Sequence, residues 1–554
     1  MKPTESTAER CHLLIAHRIG MHLIDIGLGQ ARVGVALLVF TLVLIGMLSG
    51  CASLPENIHR SASQTISGEA DTHLAAVAAA SVSGDEPQLS GMRLLPAGDQ
   101  AFEARIALAR AAGKSIDAQY YQIADDTSGR QFLRELSDAA ARGVRVRVLL
   151  DDLNAAGEDA FLAGLALQPN VELRMFNPLP VRDGSVRSRV LLSMHEFSRI
   201  NRRMHNKLFI VDGAFAISGG RNIADEYFGR SEPANFIDMD MLSAGPVVTE
   251  MAAVFEAYWA SRHAYPIESL AAPGLDPAAT RRRFEQSVRA AGALATPLTA
   301  RDSLGQTSVG TQLASGRVDM HMASVRVVAD APRKADADND SLGDGVVMNG
   351  NLDLVQSARS EVLLASPYFI PGRRTMEVLQ QAADSDVSVS VMTNSLATTD
   401  EPLAHFGYAR YRMRLLKMRV ALYELMPEDD NDRPSLTDGP SGSLGRLHAK
   451  LAVVDQRWLS IGSMNMDRRS AHSNTEMSLI VDSPALASQV ATLLRDERLP
   501  RSYQVRHRDD GRRLQWVEQS GQRQEIVHAG EPDSTWGRRL RLSVLATLVD
   551  EDLL

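Results

Sequence analysis

Two stretches of this chain, MHNKLFIVDGAFAISGGRN at 204–222 and LHAKLAVVDQRWLSIGSMN at 447–465, share one pattern. In each, a histidine is followed two residues on by a lysine, then by an apolar run closing on an aspartate. A second apolar run follows and ends in glycine, a small residue and, one position further, asparagine. The positions are His205, Lys207, Asp212, Gly219, Gly220 and Asn222 in the first copy, and His448, Lys450, Asp455, Gly462, Ser463 and Asn465 in the second. Residues two apart share one face of a strand, so each histidine and lysine point the same way. LFIV and LAVV form the buried body of that strand and the aspartate sits at its turn. The return strand then brings small residues and an amide back beside the pair. Buried lysine is costly unless paired, so two identical sites of this kind are poorly explained by structure alone.

The flanking pattern is doubled too. AFEARIALARAA reads as helix, SIDAQYY as strand, GRQFLRELSDAAARG as helix and VRVRVLLDD as strand. LDLVQSARS, EVLLASPYF, RRTMEVLQQAADS and VSVSVMTNS repeat the order, with Tyr121 matching Tyr368 and Val144–Leu149 matching Val387–Met392. A repeated helix–strand–helix–strand unit means a duplicated α/β domain. The copies are placed at 91–270 and 346–500, with a polar connecting segment at 271–345 that includes DAPRKADADNDSLGDG. Residues 501–554 break the pattern, giving a hairpin around Ser520-Gly521 and then TWGRRLRLSVLATLVDEDLL. That last run reads either as a helix packed on the body or as one lying on lipid.

Composition narrows the class. A chain of 554 residues, 44% hydrophobic and 23% charged, has ample material for a core in two to four domains. A net charge of −9 argues against a general nucleic-acid binder, and no nucleic-acid partner is expected. The local basic clusters Arg202-Arg203, Arg281-Arg282-Arg283 and Arg538-Arg539 each read first as solvated surface arginine. Cys11 and Cys51 are the two cysteines, too few for a zinc cluster or a disulfide framework. VGVALLVFTLVLIGMLSG, residues 33–50, follows Arg32 and ends in small residues, so residues 1–50 read as a secretory leader. The alternative is an uncleaved membrane anchor, for which the run is at the lower limit of length. A start at Met21 would give a more usual leader. The polar, Ala/Ser-rich run at 51–90 reads as a flexible tether.

Leu48-Ser49-Gly50-Cys51 resembles the bacterial lipoprotein processing box, in which the cysteine is lipidated and becomes the new N-terminus. That resemblance implies a membrane-anchored lipoprotein of the cell envelope facing the periplasm, and Ala52 after the cysteine favours the outer over the inner membrane. The paired histidine–lysine–aspartate motifs resemble those of the phospholipase D superfamily, over nearly all of the chain after residue 90. INRRMHNKLFIVDG, GGRNIADEYFG and TNSLATTDEPLAHFGYARYR are similar to bacterial cardiolipin synthases, most of all the C-type.

The resemblance implies a duplicated α/β fold, two mixed sheets flanked by helices, with a pseudo-twofold axis and the active site between the halves. One histidine would attack phosphorus to give a phosphohistidine, and the other would protonate the departing alcohol and activate the incoming one. His205 is the expected nucleophile by the family's usual order. Histidine suits both roles near neutral pH. Lys207, Lys450, Asn222 and Asn465, with Gly220 and Ser463, would hold the phosphoryl group without a metal or other cofactor. By the same resemblance Asp238 and Glu476 orient the histidines, with Asp240 as the alternative to Asp238. Asp212 and Asp455 are numbered with the catalytic motif but read as architectural, fixing the turn. His405 and Tyr408 read equally as lipid-pocket residues or as packing.

The implied reaction joins phosphatidylglycerol to a second phospholipid, phosphatidylethanolamine in the C-type, to make cardiolipin. The alternatives are a phospholipase D-type phosphodiester hydrolase and, in a different class, a non-catalytic envelope lipoprotein acting as scaffold. Phospholipids and the membrane are the expected partners. A helper protein has no signature in the residues.

Overall fold

The computed structural model of the protein describes residues 53–56, 58–66, 71–82, 86–155, 157–270, 274, 276–291, 299–336, 345–427, 443–520, 524–534 and 537. The leader, Cys51 and the C-terminal apolar run, with Arg538-Arg539, lie outside the described residues. Among the described residues no helix is long and apolar enough to cross a membrane.

The first half contributes β1 (Ser90–Leu95), β2 (Ser115–Tyr120), β3 (Arg145–Asp151), β4 (Val171–Phe176), β5 (Leu208–Val211), β6 (Phe215–Gly219), β7 (Ala234–Ile237), β8 (Asp240–Ala244) and β9 (Ala264–Pro266). Then come β10 (His321–Ala329), β11 (Glu361–Ala365), β12 (Ser388–Asn394), β13 (Ala421–Leu425), β14 (Leu444–Leu447), β15 (Leu451–Val454), β16 (Trp458–Gly462) and β17 (Met477–Asp482). The C-terminal strands are β18 (Ser502–His507), β19 (Leu514–Ser520) and β20 (Gln524–His528). The last two form the expected hairpin, Ser520 pairing with Gln524.

The duplicated α/β architecture is present, but the two separate sheets are not. One 18-stranded sheet runs in the order β9, β4, β3, β2, β5, β6, β8, β1, β10, β17, β16, β15, β11, β12, β13, β18, β19, β20. Six strands outward from β1 (β8, β6, β5, β2, β3, β4) mirror six outward from β10 (β17, β16, β15, β11, β12, β13). The inner strands of each set are antiparallel and the outer three parallel, as helical crossovers require. The sheets fuse because β10 serves both halves. Its start pairs with β1 (Met92 with His321) and the rest pairs with β17 (Ala329 with Met477).

Two sequence expectations are corrected here. The 271–345 connection is structural, since it holds β10 and the helix Pro277–Ala290, whose Phe284 and Val288 are buried in the core. Its polarity misled because only one face of that helix is apolar. The flexible tether ends early. Arg60 donates to the carbonyls of Arg262 and Ala264, and Arg147 and Arg174 donate to the carbonyls of Ser63 and Ser61. Thr72 then caps the helix His73–Ser81. Backbone carbonyls, which composition does not reveal, satisfy buried arginines.

Three apolar clusters fill the molecule. One lies under the first half's helices and one under the second half's. The third joins Phe255 and Trp259 of the first half to Leu486 and Val490 of the second. Each such buried side chain contributes roughly 1.5–3 kcal/mol. The halves are therefore held by a shared core, which fixes what each can present to the other.

Candidate active site

Both motifs fold as strand hairpins. β5 and β6 turn at Asp212-Gly213 and β15 and β16 at Asp455-Gln456, all four residues having positive φ. This is the type I′ geometry that matches strand twist. The Asp212 carboxylate accepts from the backbone N–H groups of Gly113, Lys114 and Ser115. The Asp455 carboxylate does the same for Arg359, Ser360 and Glu361. Each aspartate thus ties its turn to the start of the neighbouring antiparallel strand, β2 or β11, at the far end of the hairpin from the histidine. Their architectural reading fits this placement; a catalytic one does not.

At the other end the halves exchange partners. β7 and β14 form a small parallel sheet in which Ile237 pairs with Leu447, so the next residues, Asp238 and His448, stand side by side. His448 Nδ1 lies 2.6 Å from Asp238 Oδ2. A parallel bridge between Met204 and Thr475 does the same for the residues that follow, and His205 Nδ1 lies 2.9 Å from Glu476 Oε2. Each imidazole is held by a carboxylate from the opposite half. Asp240, the alternative to Asp238, is taken up by Arg105 at 2.9 Å and Arg221 at 3.4 Å.

His205 and His448 open on one cavity of about 500 Å³, which Asn222 and Asn465 also line. The carboxamide oxygens of both asparagines are buried without a partner among the described residues. Gly220 and Ser463 pack against the carboxylates and, like Lys207 and Lys450, do not themselves line the cavity. A Cβ on Gly220 would overlap the Asp238 carboxylate, whereas Ser463 Oγ donates to Glu476 Oε2 at 2.5 Å. His405 and Tyr408 do not line it either. His405 lies 2.9 Å from Glu531 and Tyr408 donates to Glu424, so both belong to a buried polar cluster around Arg412.

Burial sets the electrostatics. It pulls both imidazoles below their ordinary value, Glu476 opposing the effect at His205 and Lys450 reinforcing it at His448. Burial likewise lowers Lys207 to about 7 and Lys450 to about 8. Burial alone would raise Asp238 and Glu476, but their histidines and the nearby lysines overcome it and keep both carboxylates ionised. With Nδ1 facing a carboxylate, each ring turns Nε2 toward chemistry, and Lys450 Nζ lies 3.2 Å from that atom of His448. Each lysine also donates to the carbonyl of its own histidine, at 2.6 Å for Lys207 and 2.5 Å for Lys450.

Several cavity residues carry no signal in the motifs. Tyr121 meets the His205 ring edge-on at 5.2 Å, and Tyr227 meets His448 at 5.1 Å. Glu226, Asp400, Glu401, Asp467 and Arg469 also line it, and burial raises Asp467 to about 6. Tyr121 and Tyr368 were visible as matched positions of the repeat; the others come from loops and from the short helices Asp225–Tyr227 and Arg468–His472. A larger depression of about 750 Å³, between Arg326, Arg457 and Trp458, lies at the Asp455 end and includes neither histidine.

The exchanged histidine–carboxylate pairs across a duplicated α/β sheet form one site from two motifs, and the chain's similarity to known proteins shows its family. Residues 105–259 and 352–497 match the family model described as cardiolipin synthase, PLD-like domain, and the chain belongs to the phospholipase D superfamily. It is 35% identical to cardiolipin synthase C of Escherichia coli strain K12 over 461 residues, 82% of this chain and 94% of that protein. It is 27% identical to the cardiolipin synthase of Geobacillus kaustophilus, over 70% of this chain and 61% of that protein. The solved phosphatidylserine synthase of Haemophilus influenzae shares the fold, with a TM-score of 0.51 at 14% identity over 76% of this chain and 88% of its own.

Proposed function

We propose that the protein transfers a phosphatidyl group from one phospholipid to the glycerol hydroxyl of phosphatidylglycerol, making cardiolipin through a phosphohistidine. The observation that carries this reading is the pair of imidazoles, each held by the other half's carboxylate, opening on one cavity. In the reaction His205 Nε2 attacks phosphorus and His448 gives its proton to the departing alcohol. His448 then takes the proton of the incoming glycerol hydroxyl as that oxygen displaces His205. Asp238, kept ionised, stabilises the imidazolium from which His448 gives that proton and which the glycerol proton restores. Lys207 and Lys450 neutralise charge on the phosphoryl oxygens, and the amide N–H groups of Asn222 and Asn465 donate to them. Phosphatidylethanolamine is the proposed donor, in keeping with the similarity to the Escherichia coli enzyme across nearly its whole length.

The leader and Cys51 extend the proposal to a lipoprotein of the cell envelope facing the periplasm, which places the catalytic body beside its lipid substrates. The test is incubation with labelled phosphatidylglycerol and phosphatidylethanolamine. Cardiolipin that disappears in His205→Ala is the expected result. Phosphatidic acid in its place would make the protein a hydrolase, and absence of both would overturn the catalytic reading.

A further inference from the structure

The segment just before the first motif is built inside out. The helix Val186–Leu192, a single turn at Met194–Glu196 and the helix Phe197–Ile200 follow one another almost without a break. A surface helix of a soluble domain turns its apolar side inward. Here the inward side carries Arg189, 2% exposed, the buried Ser193 and, at its end, the buried Ile200, whereas Leu191 is 59%, Met194 47% and Phe197 40% exposed. Leu191 and Met194 continue a stripe from Arg187 to Ser198 at spacings of three and four, the spacing of one helix face.

The polar side has an evident purpose. Arg182 and Arg189 reach Asp159 and Arg182 also reaches Asp152, while Asn177 donates to the carbonyls of Arg199 and Arg202. These bonds clamp the segment to the body and leave its greasy side outward. Exposing large apolar side chains is unfavourable for a soluble surface, and a cluster of them marks a contact site.

Two relationships indicate what covers it. The segment ends at Asn201, whose side chain and carbonyl accept from Arg469, a residue of the catalytic cavity. The patch therefore adjoins the cavity. At the same end of the segment Asn177, which donates to the carbonyls of Arg199 and Arg202, also gives its backbone N–H to the His263 carbonyl, and Arg60 grips the carbonyls of Arg262 and Ala264 on either side. Arg60 lies only nine positions after Cys51. That length spans at most about 30 Å, so a lipid anchor at Cys51 holds this edge near the bilayer.

The geometry points to the 186–200 segment as the surface that sits in the lipid interface, with Leu191, Met194 and Phe197 entering the headgroup boundary and the cavity opening beside them. The inference rests on the phospholipid and anchor readings above. It adds which surface faces the bilayer and how a membrane-borne substrate reaches the histidines without leaving it.

The test uses the full chain and the triple variant Leu191→Ser, Met194→Ser, Phe197→Ser. Activity is compared on phosphatidylglycerol/phosphatidylethanolamine vesicles and on short-chain monomeric forms of the same lipids. The expected result is a loss of about tenfold or more on vesicles with monomer turnover unchanged. Equal losses on both substrates, or no loss, would overturn the inference. A second measurement needs no activity. Phe197→Trp in the full chain should add a fluorescence signal that brominated lipids in those vesicles quench beyond the parent's own tryptophans. An added signal that the lipids do not quench, or one buried by self-association without lipid, would overturn it. If the parent turns over neither substrate, the phospholipid reading fails while the quenching result still decides where the surface sits.

Discussion

His448 Nδ1 lies 2.6 Å from Asp238 Oδ2, a contact between residues 210 positions apart in sequence. His205 and Glu476 repeat it in the opposite sense. Neither half can orient its own histidine, so the site exists only when both are folded together.

Asp238→Asn and Glu476→Gln should each lower kcat by about 10²–10⁴ while KM changes little, because the amide no longer fixes the ring tautomer or stabilises the imidazolium. Turnover of labelled phospholipid, with circular dichroism to verify folding, checks this. A loss below about threefold in both variants would contradict the assigned orienting role.

The alkaline fall of kcat/KM should begin as His448, held below its ordinary value by burial, loses its proton, and should steepen between about pH 7 and 8, since Lys207 and Lys450 are lowered to about 7 and about 8 by burial. Below those values the ammonium groups are charged and can neutralise the phosphoryl oxygens; as pH rises through them that charge is lost. Bound phosphodiester favours the ammonium, so the limb in kcat should lie at higher pH than the limb in kcat/KM. A pH–rate profile flat up to the ordinary lysine value of 10.5 would refute the assignment.

Asp212→Ala should cost stability before it costs chemistry. It strands three backbone N–H groups at the start of β2, and such charge-assisted bonds contribute roughly 1.5–3 kcal/mol each. Urea unfolding should show a loss of at least about 3 kcal/mol, with kcat per folded molecule within about threefold of the parent. A fully stable but inactive variant would put this aspartate back in the catalytic machinery.

Gln456 adopts φ 51° in the second hairpin, where the first has Gly213. Left-handed backbone costs a side-chain-bearing residue about 1 kcal/mol or more. Gln456→Gly should therefore stabilise the protein by about 1 kcal/mol without altering turnover, as read by thermal or urea unfolding.

The motif residues were legible because a period of two and a doubled spacing leave few ways to fold, and the same periodicity exposed the alternating helices and strands. Asp238 and Glu476 could be named from the family resemblance, but their crossed partnership was not visible in the sequence. It depends on two short parallel pairings, Ile237 with Leu447 and Met204 with Thr475, whose residues are far apart in the chain. The fusion of two expected sheets into one had the same cause, since β10 lay in a stretch whose polar composition reads as linker. Gly220 and Ser463 show that a small residue beside a site can make room for a side chain as readily as for a ligand, a role the sequence does not reveal. His405 resembled a pocket residue for want of its distant partner Glu531.

The most direct test of two histidines serving one phosphorus is to trap the intermediate in His448→Asn. A phosphatidyl ester of p-nitrophenol needs no general acid to depart, so the first step should still proceed, whereas the variant lacks the base for the second. The account predicts a stoichiometric burst of p-nitrophenolate and a phosphatidyl group recovered by mass spectrometry on His205. Steady turnover without a covalent species, or label on any other residue, would contradict it.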